Sequence, residues 1–494
     1  MVPFNNIPQN LRVPLFYAET DNSQANTGQQ TQRALIIGQI TPDGKATPNV
    51  PLICQGKGDA ISQGGAGSML ALMTAAYLAA DNFGEVWYLP LADAGASQAA
   101  SGSISVTTPP NANGALSLYI AGALVSVAVS SFDEAADVAT AIAAAITGTT
   151  SLPVTATVDG VTPTKVNLTA KNKGLAGNDI DLRLNYRGDA AGEQTPAGLA
   201  LAIVAMSGGT VNPTLATALA NLGDRTFDFI ASGYNDTASL DALKTFLDDQ
   251  TGRWSWTSQT YGHVFGGLRG TLASATTFLT ARNNQHEAIF PFNDSPTPYW
   301  VLAADFAATA AVSLRVDPGR PLQTLPLSTF LAPPEESRFT LTERNTLLFD
   351  GGSTFTVDDD GTVRLENIIT TYQKNAFGDP DDSYLEVETL FQIMFVLRAF
   401  KSLVTSKYGR VKLADDGTRF APGSAIVTPS IIKADLIAEY QTLESNGYVQ
   451  NSDVFAQQIV VERNALNRNR IDVLLPPDLI NQLRVFAVLA QFRQ

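Results

Sequence analysis

Hydrophobic and polar positions alternate between strand and helix spacing over much of this chain. An apolar run at residues 34–40 predicts a buried strand. Ser68 is followed by apolar residues at helical spacing, and Gly84 comes after them, which predicts a capped helix. The run at residues 85–91 predicts a second strand directly after that helix. This order indicates a βαβ unit.

The same alternation resumes after residue 214. Asp236 or Thr237 is placed to cap a helix whose apolar residues share one face. The further elements predicted are a helix near residue 215, strands at 227–232, 261–265 and 287–292, and a helix at 271–282. Strands that alternate with helices favour an α/β core with a parallel or mixed sheet.

Residues 92–213 interrupt this alternation and differ in composition. They are rich in Gly, Ala, Ser and Thr, and charged residues are sparse among them. Short alternating runs predict β structure, with one Ala-rich helix between them, and these predicted elements are strands within 115–129, 165–170 and 179–186, a turn at 172–174 and the helix at 133–146. We therefore expect an inserted β-rich domain on an exposed side of the parent domain.

Two turns of the same sequence mark the part of the chain after residue 318. Asp359-Asp360-Gly361-Thr362 and Asp415-Asp416-Gly417-Thr418 both predict hairpins. Long apolar-periodic runs predict helices at residues 384–407 and 430–443. This region is therefore expected to mix helices with short antiparallel strands.

Both ends of the chain carry strand patterns outside these segments. Val13, Leu15 and Tyr17 alternate with other residues in a proline-containing segment, which is typical of an edge strand. Residues 484–493 follow two prolines and also predict a strand. Such arms can add to the sheet of a neighbouring subunit, and head-to-tail addition produces a ring or a helical polymer. The pattern is equally compatible with arms that fold back on their own chain.

Together these patterns predict a mixed α/β multidomain core with a β-rich insertion and extended terminal strand arms. The predicted parts are an N-terminal arm (1–30), an α/β core (31–91 and 214–317), the insertion (92–213), a C-terminal α+β domain (318–475) and a C-terminal strand arm (476–494). A chain of 494 residues is long enough for several such cores.

Composition favours a soluble protein that buries much of its surface in contacts with partners. The net charge of -15 repels phosphate backbones, which argues against nucleic-acid binding. Charged residues make up 16% of the chain, below the roughly 25% of ordinary soluble domains. The apolar stretch at residues 390–397 is far short of the ~20 residues that span a membrane, and no signal-peptide pattern opens the chain. We expect neither nucleic acid nor membrane among its partners.

Catalytic signatures are absent from the sequence, which contains no GxxxxGK[ST], GxSxG, HExxH or CxxC motif. The Gly-rich segment from Gly56 to Ser68 leads into a helix and is the best candidate for a phosphate cradle. An α/β enzyme, a hydrolase or nucleotide binder using this segment, therefore stays open as the alternative. We interpret His263 and His286 as packed, Cys54 as an incidental thiol, and residues 358–361 as a β-turn rather than a calcium loop. No catalytic residue, cofactor or metal is expected.

Several long strings in the sequence are distinctive. They are IPQNLRVPLFYAE at 7–19, APPEESR at 332–338, TFTVDDDG at 354–361, TTYQKN at 370–375, ADDGTRF at 414–420 and PDLINQLRVF at 477–486. In these strings the chain resembles the tail sheath proteins of Mu-like contractile-tailed bacteriophages. The likeness covers both ends and most of the core, and the insertion carries the least of it.

This resemblance implies a non-enzymatic structural subunit of a contractile tail sheath. Such subunits stack as hexameric rings in a helical homo-oligomer around an inner tail tube, and contraction drives the tube through the host cell envelope for genome delivery. The implied partners are the inner tail tube protein and the baseplate and tail terminator proteins. The implied location is the virion, with assembly in the host cytoplasm. A static capsid-like or tube protein is a third interpretation, which shares the polymer argument.

Two groups of candidate site residues follow from the resemblance and the charge pattern. Strand addition between subunits is predicted for Val13, Leu15 and Tyr17 in the N-terminal arm and for Val485, Ala487, Leu489 and Gln491 in the C-terminal arm. A basic group is predicted to face the tube, namely Arg398, Lys401, Lys407, Arg410 and Lys412. The alternative for this basic group is a solvated helix end whose cations favour the helix dipole.

Overall fold

A computed structural model describes residues 32–493 of the chain. The strands within this range are β1 (Ala34–Gln39), β2 (Leu52–Ile53), β3 (Val86–Leu91), β4 (Ala99–Thr108), β5 (Gly114–Ile120), β6 (Ala123–Val129), β7 (Val154–Val158), β8 (Lys165–Lys173), β9 (Leu182–Leu184), β10 (Ala200–Ser207), β11 (Phe229–Ser232), β12 (His263–Arg269), β13 (Glu287–Phe292), β14 (Thr354–Val357), β15 (Val363–Asn367), β16 (Lys412–Leu413), β17 (Ile426–Val427), β18 (Val460–Arg463) and β19 (Ile471–Leu474). The α-helices are α1 (Lys57–Gly64), α2 (Met69–Ala80), α3 (Ala135–Gly148), α4 (Ala216–Ala220), α5 (Thr237–Leu247), α6 (Leu272–Thr280), α7 (Tyr299–Val316), α8 (Leu341–Phe349), α9 (Val387–Tyr408), α10 (Pro429–Ser445) and α11 (Ser452–Gln458). Short 3-10 helices lie at Leu175–Asp179, Asp189–Ala191 and Glu335–Ser337.

The described residues form two compact units. Residues 32–390 and 483–493 form the first unit, and residues 391–482 form the second. Both units contain helices and strands, so the predicted mixed α/β class is confirmed. The finer division of the chain into five parts stays a prediction.

A six-stranded sheet is the main sheet of the first unit. Its order is β13-β12-β11-β1-β3-β2, and all neighbours pair in parallel except β2, which is antiparallel to β3. Every residue of β1, β11 and β13 is buried. Strands covered on both faces have continuous apolar runs instead of alternation, which is the pattern that the sequence shows. The predicted parallel or mixed sheet is confirmed.

Side-chain caps start two helices of this layer at the predicted positions. Ser68 Oγ accepts a hydrogen bond from Ala71 N at 3.1 Å. Asp236 Oδ1 accepts one from Ser239 N at 3.0 Å. Each cap satisfies a backbone N–H that the first helical turn leaves unpaired. The residue types at these two helix starts therefore predict the hydrogen bonds that form there.

Helix α7 is a core helix that the sequence patterns do not reveal. It is the one described helix long and apolar enough to cross a membrane, but thirteen of its eighteen residues are buried inside the first unit. Being apolar all round, it lacks the stripe that identifies a surface helix. The carboxylate of Asp305 in its middle accepts hydrogen bonds from the backbone N–H groups of residues 328–330, at 2.6 to 3.0 Å. These bonds tie the following loop to the helix.

Residues 99–207 contain two antiparallel sheets with helix α3. Their strand orders are β10-β4-β8-β7 and β6-β5-β9. Ile104, Leu116 and Ile142 belong to one buried cluster that both sheets and the helix share. The predicted turn at residues 172–174 is wrong, because β8 continues to Lys173 and the chain turns only at Gly174, where φ is 120°.

The two turns of identical sequence fold differently. β14 and β15 form an antiparallel hairpin around residues 359–362, as predicted, and Gly361 adopts a φ of 84° in that turn. The hairpin predicted at residues 415–418 is wrong, because β16 pairs in parallel with β17. Residues 419–425, which follow the second turn, lack the alternation of a strand that could pair back across it.

Apolar faces of helices α9, α10 and α11 form the core of the second unit. Phe400, Tyr440 and Phe455 lie in this core, and the rings of the last two stack with their centroids 3.7 Å apart. Strands β18 and β19 pair as a two-stranded antiparallel ladder. This ladder is not among the elements predicted from the sequence.

The two arms predicted as strands have different outcomes. Val13, Leu15 and Tyr17 lie outside the described residues. Residues 484–493 form no strand in the structure, so for the single chain that prediction is wrong. A strand is completed by hydrogen bonds to a partner strand, and no described segment of this chain pairs with these residues.

Candidate assembly surfaces

The inserted strands cover the last part of the Gly-rich segment that could have held a phosphate. Part of it is helix α1, and the N–H of Met69 at the start of α2 donates to Asn172 Oδ1 at 2.8 Å. Lys171 Nζ donates to the carbonyl of Ala66 at 2.9 Å. The void beside these residues measures about 10 Å³, close to the minimum for one water. Protein atoms thus occupy the start of α2, which argues against a phosphate site at that helix.

Both histidines are buried in the fold, and the single cysteine is half-buried. His286 is buried, with its Nε2 2.7 Å from Asp249 Oδ1 and its ring stacked on Trp254 at 4.5 Å. Burial, and then the nearby His286, lowers the pKa of His263 well below its ordinary value. Burial also raises the pKa of the Cys54 thiol, which disfavours the nucleophilic thiolate. Among residues 32–493, no three His, Cys, Asp or Glu side chains gather as metal ligands.

Residues 485–493 carry apolar side chains that the chain itself leaves exposed. Phe486 is 82% exposed and Phe492 is 85% exposed. Consecutive large apolar groups at such exposure mark a surface that a partner covers. The residues of this segment that were predicted for strand addition are all exposed, namely Val485, Ala487, Leu489 and Gln491.

Arg484 fixes the root of this exposed segment to the first unit. Its Nη2 lies 2.6 Å from Glu386 Oε2 and 2.8 Å from Glu388 Oε1. Glu388 is fully buried and also accepts a hydrogen bond from Leu322 N at 2.5 Å. No local pattern predicts this contact, because its partners are about a hundred positions apart. The exposed segment therefore begins at a fixed point.

The β18–β19 ladder offers two strand edges within the second unit. Val460 pairs with Leu474 at one end of the ladder, and no third strand among the described residues joins it. Both residues are exposed, as is Val473. Two strands alone are marginally stable, and open edges are templates for pairing with another chain. Alternating residues on either side of the Asn-rich turn at 464–469 are the signal that would have predicted this ladder.

The predicted basic group lies along the end of α9 and the loop after it. Lys407 Nζ is 2.7 Å from Asp435 Oδ1, so its charge is compensated within the second unit. Arg398 is half-buried. The remaining members of the group are exposed, namely Lys401, Arg410 and Lys412. The structure thus leaves these three cations accessible to a partner.

Comparison with known families identifies the kind of protein to which these surfaces belong. Residues 208–371 match the phage tail sheath protein central domain, and residues 379–493 match the phage tail sheath C-terminal domain. The chain therefore belongs to the phage tail sheath family. Over 493 residues it is 40% identical to the Mu-like prophage FluMu tail sheath protein of Haemophilus influenzae, with 99% of each chain covered. It is a structural tail sheath protein of a Mu-like phage, and the resemblance found in the sequence is confirmed.

Solved structures of tail-like assemblies are also similar to this chain. The crystal structure of the sheath tail protein Lin1278 from Listeria innocua is 12% identical, with 93% of this chain and 95% of that chain covered and a TM-score of 0.48. A chain of the anti-feeding prophage baseplate in its contracted state is 14% identical, with 97% and 98% covered and a TM-score of 0.45. The six-fold symmetrised baseplate of the same prophage contains a chain with a TM-score of 0.40, of which 75% is covered.

Proposed function

We propose that the chain polymerises as stacked hexameric rings around a tail tube and forms a contractile sheath. Contraction of this sheath drives the tube through the host cell envelope and delivers the genome. The subunit acts mechanically, without catalysis or a cofactor. The observation that carries the proposal is the exposed apolar segment at residues 485–493 in a member of the tail sheath family.

Strand addition is the proposed link between subunits. In this proposal each subunit uses the two predicted arms, at residues 1–30 and 476–494, and one β18–β19 ladder that no third described strand joins. When an arm pairs with a ladder edge of a neighbouring subunit, the backbone N–H and C=O groups of arm and edge form hydrogen bonds with each other. The arm then also covers exposed residues such as Leu474. Arm and edge are different surfaces, so the contact is head-to-tail and generates rings or helices rather than closed dimers.

Contraction requires some contacts to persist while others exchange. A mesh of main-chain hydrogen bonds between arms and ladders keeps subunits linked when their cores shift. Lys401, Arg410 and Lys412 are proposed to face the tube, together with the other members of the basic group. Surface ion pairs contribute only about 0 to 1 kcal/mol each, so they break during sliding, yet their repetition along the sheath sets the register.

Baseplate and tail terminator proteins are the proposed partners at the two ends of the sheath. In this proposal, assembly takes place in the host cytoplasm before the sheath joins the virion.

Negative-stain electron microscopy of the purified chain, over a series of concentrations and salt, tests strand addition. The full chain is expected to form tubes or stacked rings with a hollow lumen. Deletion of residues 1–20 or of residues 485–494 is expected to abolish them, while circular dichroism and thermal unfolding report a folded core. A matched control is Phe132→Asp, which changes a 92% exposed apolar residue of the inserted domain. Ordinary tubes from both deletion variants would contradict the proposal.

A second measurement separates a contractile sheath from a static tube. Sheaths assembled with the tube protein are imaged before and after exposure to mild denaturant or acid. We expect two populations, with the treated tubes shorter and wider than the untreated ones. A single tube length and diameter under every condition would favour the static interpretation.

A further inference from the structure

The contact between Arg484 and helix α9 closes a long covalent loop. The chain leaves the first unit after residue 390, forms the second unit, and returns at residue 483. Arg484 then binds Glu386 and Glu388, which lie just before the point of departure. Side chains of the first unit thus hold the two ends of the excursion together, and within the second unit Gln392 also donates to the carbonyl of Ile480 at 3.0 Å. We call this contact, made by Arg484, Glu386 and Glu388, the root clamp.

The root clamp is built as a buried, bifurcated ion pair. One guanidinium nitrogen of Arg484 serves both carboxylates, at 2.6 and 2.8 Å. The Arg484 side chain is 14% exposed, and that of Glu388 is fully buried. Gln323 lies beside it, with its Nε2 3.4 Å from the carbonyl of Leu483. Removing one member of such a pair leaves a buried charge without compensation, so a substitution here disturbs the structure far more than one in a surface pair does.

A force applied to the C-terminal arm has two routes into the subunit. One route is the covalent chain, which runs through the second unit with its β18–β19 ladder and small helical core. The other passes from Arg484 through the carboxylates of Glu386 and Glu388 to the start of α9. A clamped root takes up the force before the covalent route is stretched.

We propose that the root clamp carries tension from the C-terminal arm directly into the first unit, so that the second unit is not loaded when neighbouring subunits pull on that arm. The source of the tension rests on the proposed function, because it is the shortening of a sheath whose arms are paired with neighbours. The clamp protects the ladder that, in the same proposal, receives the arms. Each subunit can then pull through its arm without unfolding the surface by which it is held.

Single-molecule pulling on the full chain tests this force route. In a Cys54→Ser background, handles are attached at Phe83→Cys, which replaces a 97% exposed residue, and at Arg493→Cys. The clamped chain is expected to release residues 389–483 in one late step, which lengthens it by up to about 300 Å at ~3.3 Å per residue. With Arg484→Met, the second unit is expected to open at no more than half that force.

Two further variants keep the test decisive. Arg470→Met removes an exposed ion pair with Asp472 within the second unit and is expected to leave the opening force unchanged. If Arg484→Met does not fold, as judged by circular dichroism, Glu386→Gln weakens the clamp while keeping the Glu388 contact, and an intermediate force is expected. Equal opening forces in the clamped chain and the folded clamp variants would overturn the inference. This outcome is independent of tube assembly, since failure of the proposed function would instead appear as missing tubes in electron micrographs of the full chain.

Discussion

Asn172 and Met69 join the inserted strands to the main sheet through one side chain. The N–H of Met69 donates to Asn172 Oδ1 at 2.8 Å, and Asn172 Nδ2 donates to the carbonyl of Ile40 at 3.0 Å. The start of α2 and the end of β1 are thereby held by the same amide. In open α/β sheets, ligands bind at this carboxyl edge of the strands. In this protein Asn172, from strand β8 of the inserted region, occupies that position.

Replacing Asn172 with Ala is expected to destabilise the protein by about 1 to 3 kcal/mol, because the N–H of Met69 and the carbonyl of Ile40 lose their partner. The free energy of unfolding in urea measures the effect. Asn113→Ala is the matched control, since Asn113 accepts a hydrogen bond from the exposed Ser131 N–H and its loss is expected to cost less than about 1 kcal/mol. Equal losses for the two variants would contradict the bridging role of Asn172.

Gly67→Ala is expected to destabilise the protein more strongly than Gly188→Ala. Both glycines have a positive φ, 75° and 69°, so each variant suffers about 1 to 3 kcal/mol of backbone strain. At Gly67 the added Cβ would also meet the carbonyl oxygen of Leu152 at 2.1 Å, whereas nothing lies within 4 Å at Gly188. Thermal unfolding of the two variants compares them directly, and a larger loss at Gly188 would show that the close approach does not matter.

His263 is expected to make stability fall as the pH drops through its ordinary pKa of about 6.5 and further below it. Burial lowers the pKa of His263 in the folded chain, whereas its pKa in the unfolded chain is about 6.5. Below pH 6.5 the unfolded chain therefore binds a proton at this residue that the folded chain does not bind. The free energy of unfolding should therefore fall as the pH drops below 6.5, by up to ~1.4 kcal/mol per pH unit from this group. His263→Phe should flatten the slope of urea-unfolding free energy against pH. A slope that the substitution leaves unchanged would assign the pH dependence to other groups.

Charge reversal of the exposed cations is expected to weaken binding of the tube without preventing self-assembly. Lys401→Glu combined with Lys412→Glu should lower the fraction of tail tubes that acquire a sheath, counted by electron microscopy. Sheath-only tubes should still form, because the arms and the ladder are unchanged. Lys407→Glu is the comparison, since this lysine already pairs with Asp435 and its reversal also disturbs the second unit. Unchanged sheathing of tubes by the double variant would remove Lys401 and Lys412 from the tube-facing group.

The predictable part of the fold is the part with local signals. The strand predicted at residues 287–292 has the same bounds in the structure, and the predicted cap Asp236 forms its bond, because burial and hydrogen bonding leave their pattern in adjacent residues. Helix α7 could not be predicted from the sequence, because a helix buried on most sides lacks the alternation of apolar and polar residues at helical spacing. The pairing of β16 with β17 escapes prediction because a turn sequence fixes the local bend and not the partner strand.

The candidate surfaces are less predictable because they depend on contacts between distant residues. Exposed apolar side chains at Val485 and Leu489 agree with the accessibility that strand addition requires, yet their pairing needs a second chain. The Gly-rich segment resembles a phosphate cradle because its local sequence leads into a helix start. Only the fold shows that Asn172, about a hundred positions later, fills it. The partners of Arg484 escape prediction for the same reason.

The exposed apolar run after Arg484 also has a consequence for free subunits in the proposed assembly. With a net charge of -15, they repel one another over roughly a Debye length, ~8 Å at physiological ionic strength. The proposed contact between an apolar arm and a ladder edge acts at shorter range and is not screened by salt. Rising ionic strength therefore shortens the repulsion while the attraction remains. If subunits polymerise as proposed, the threshold concentration for nucleation is expected to fall as salt is added.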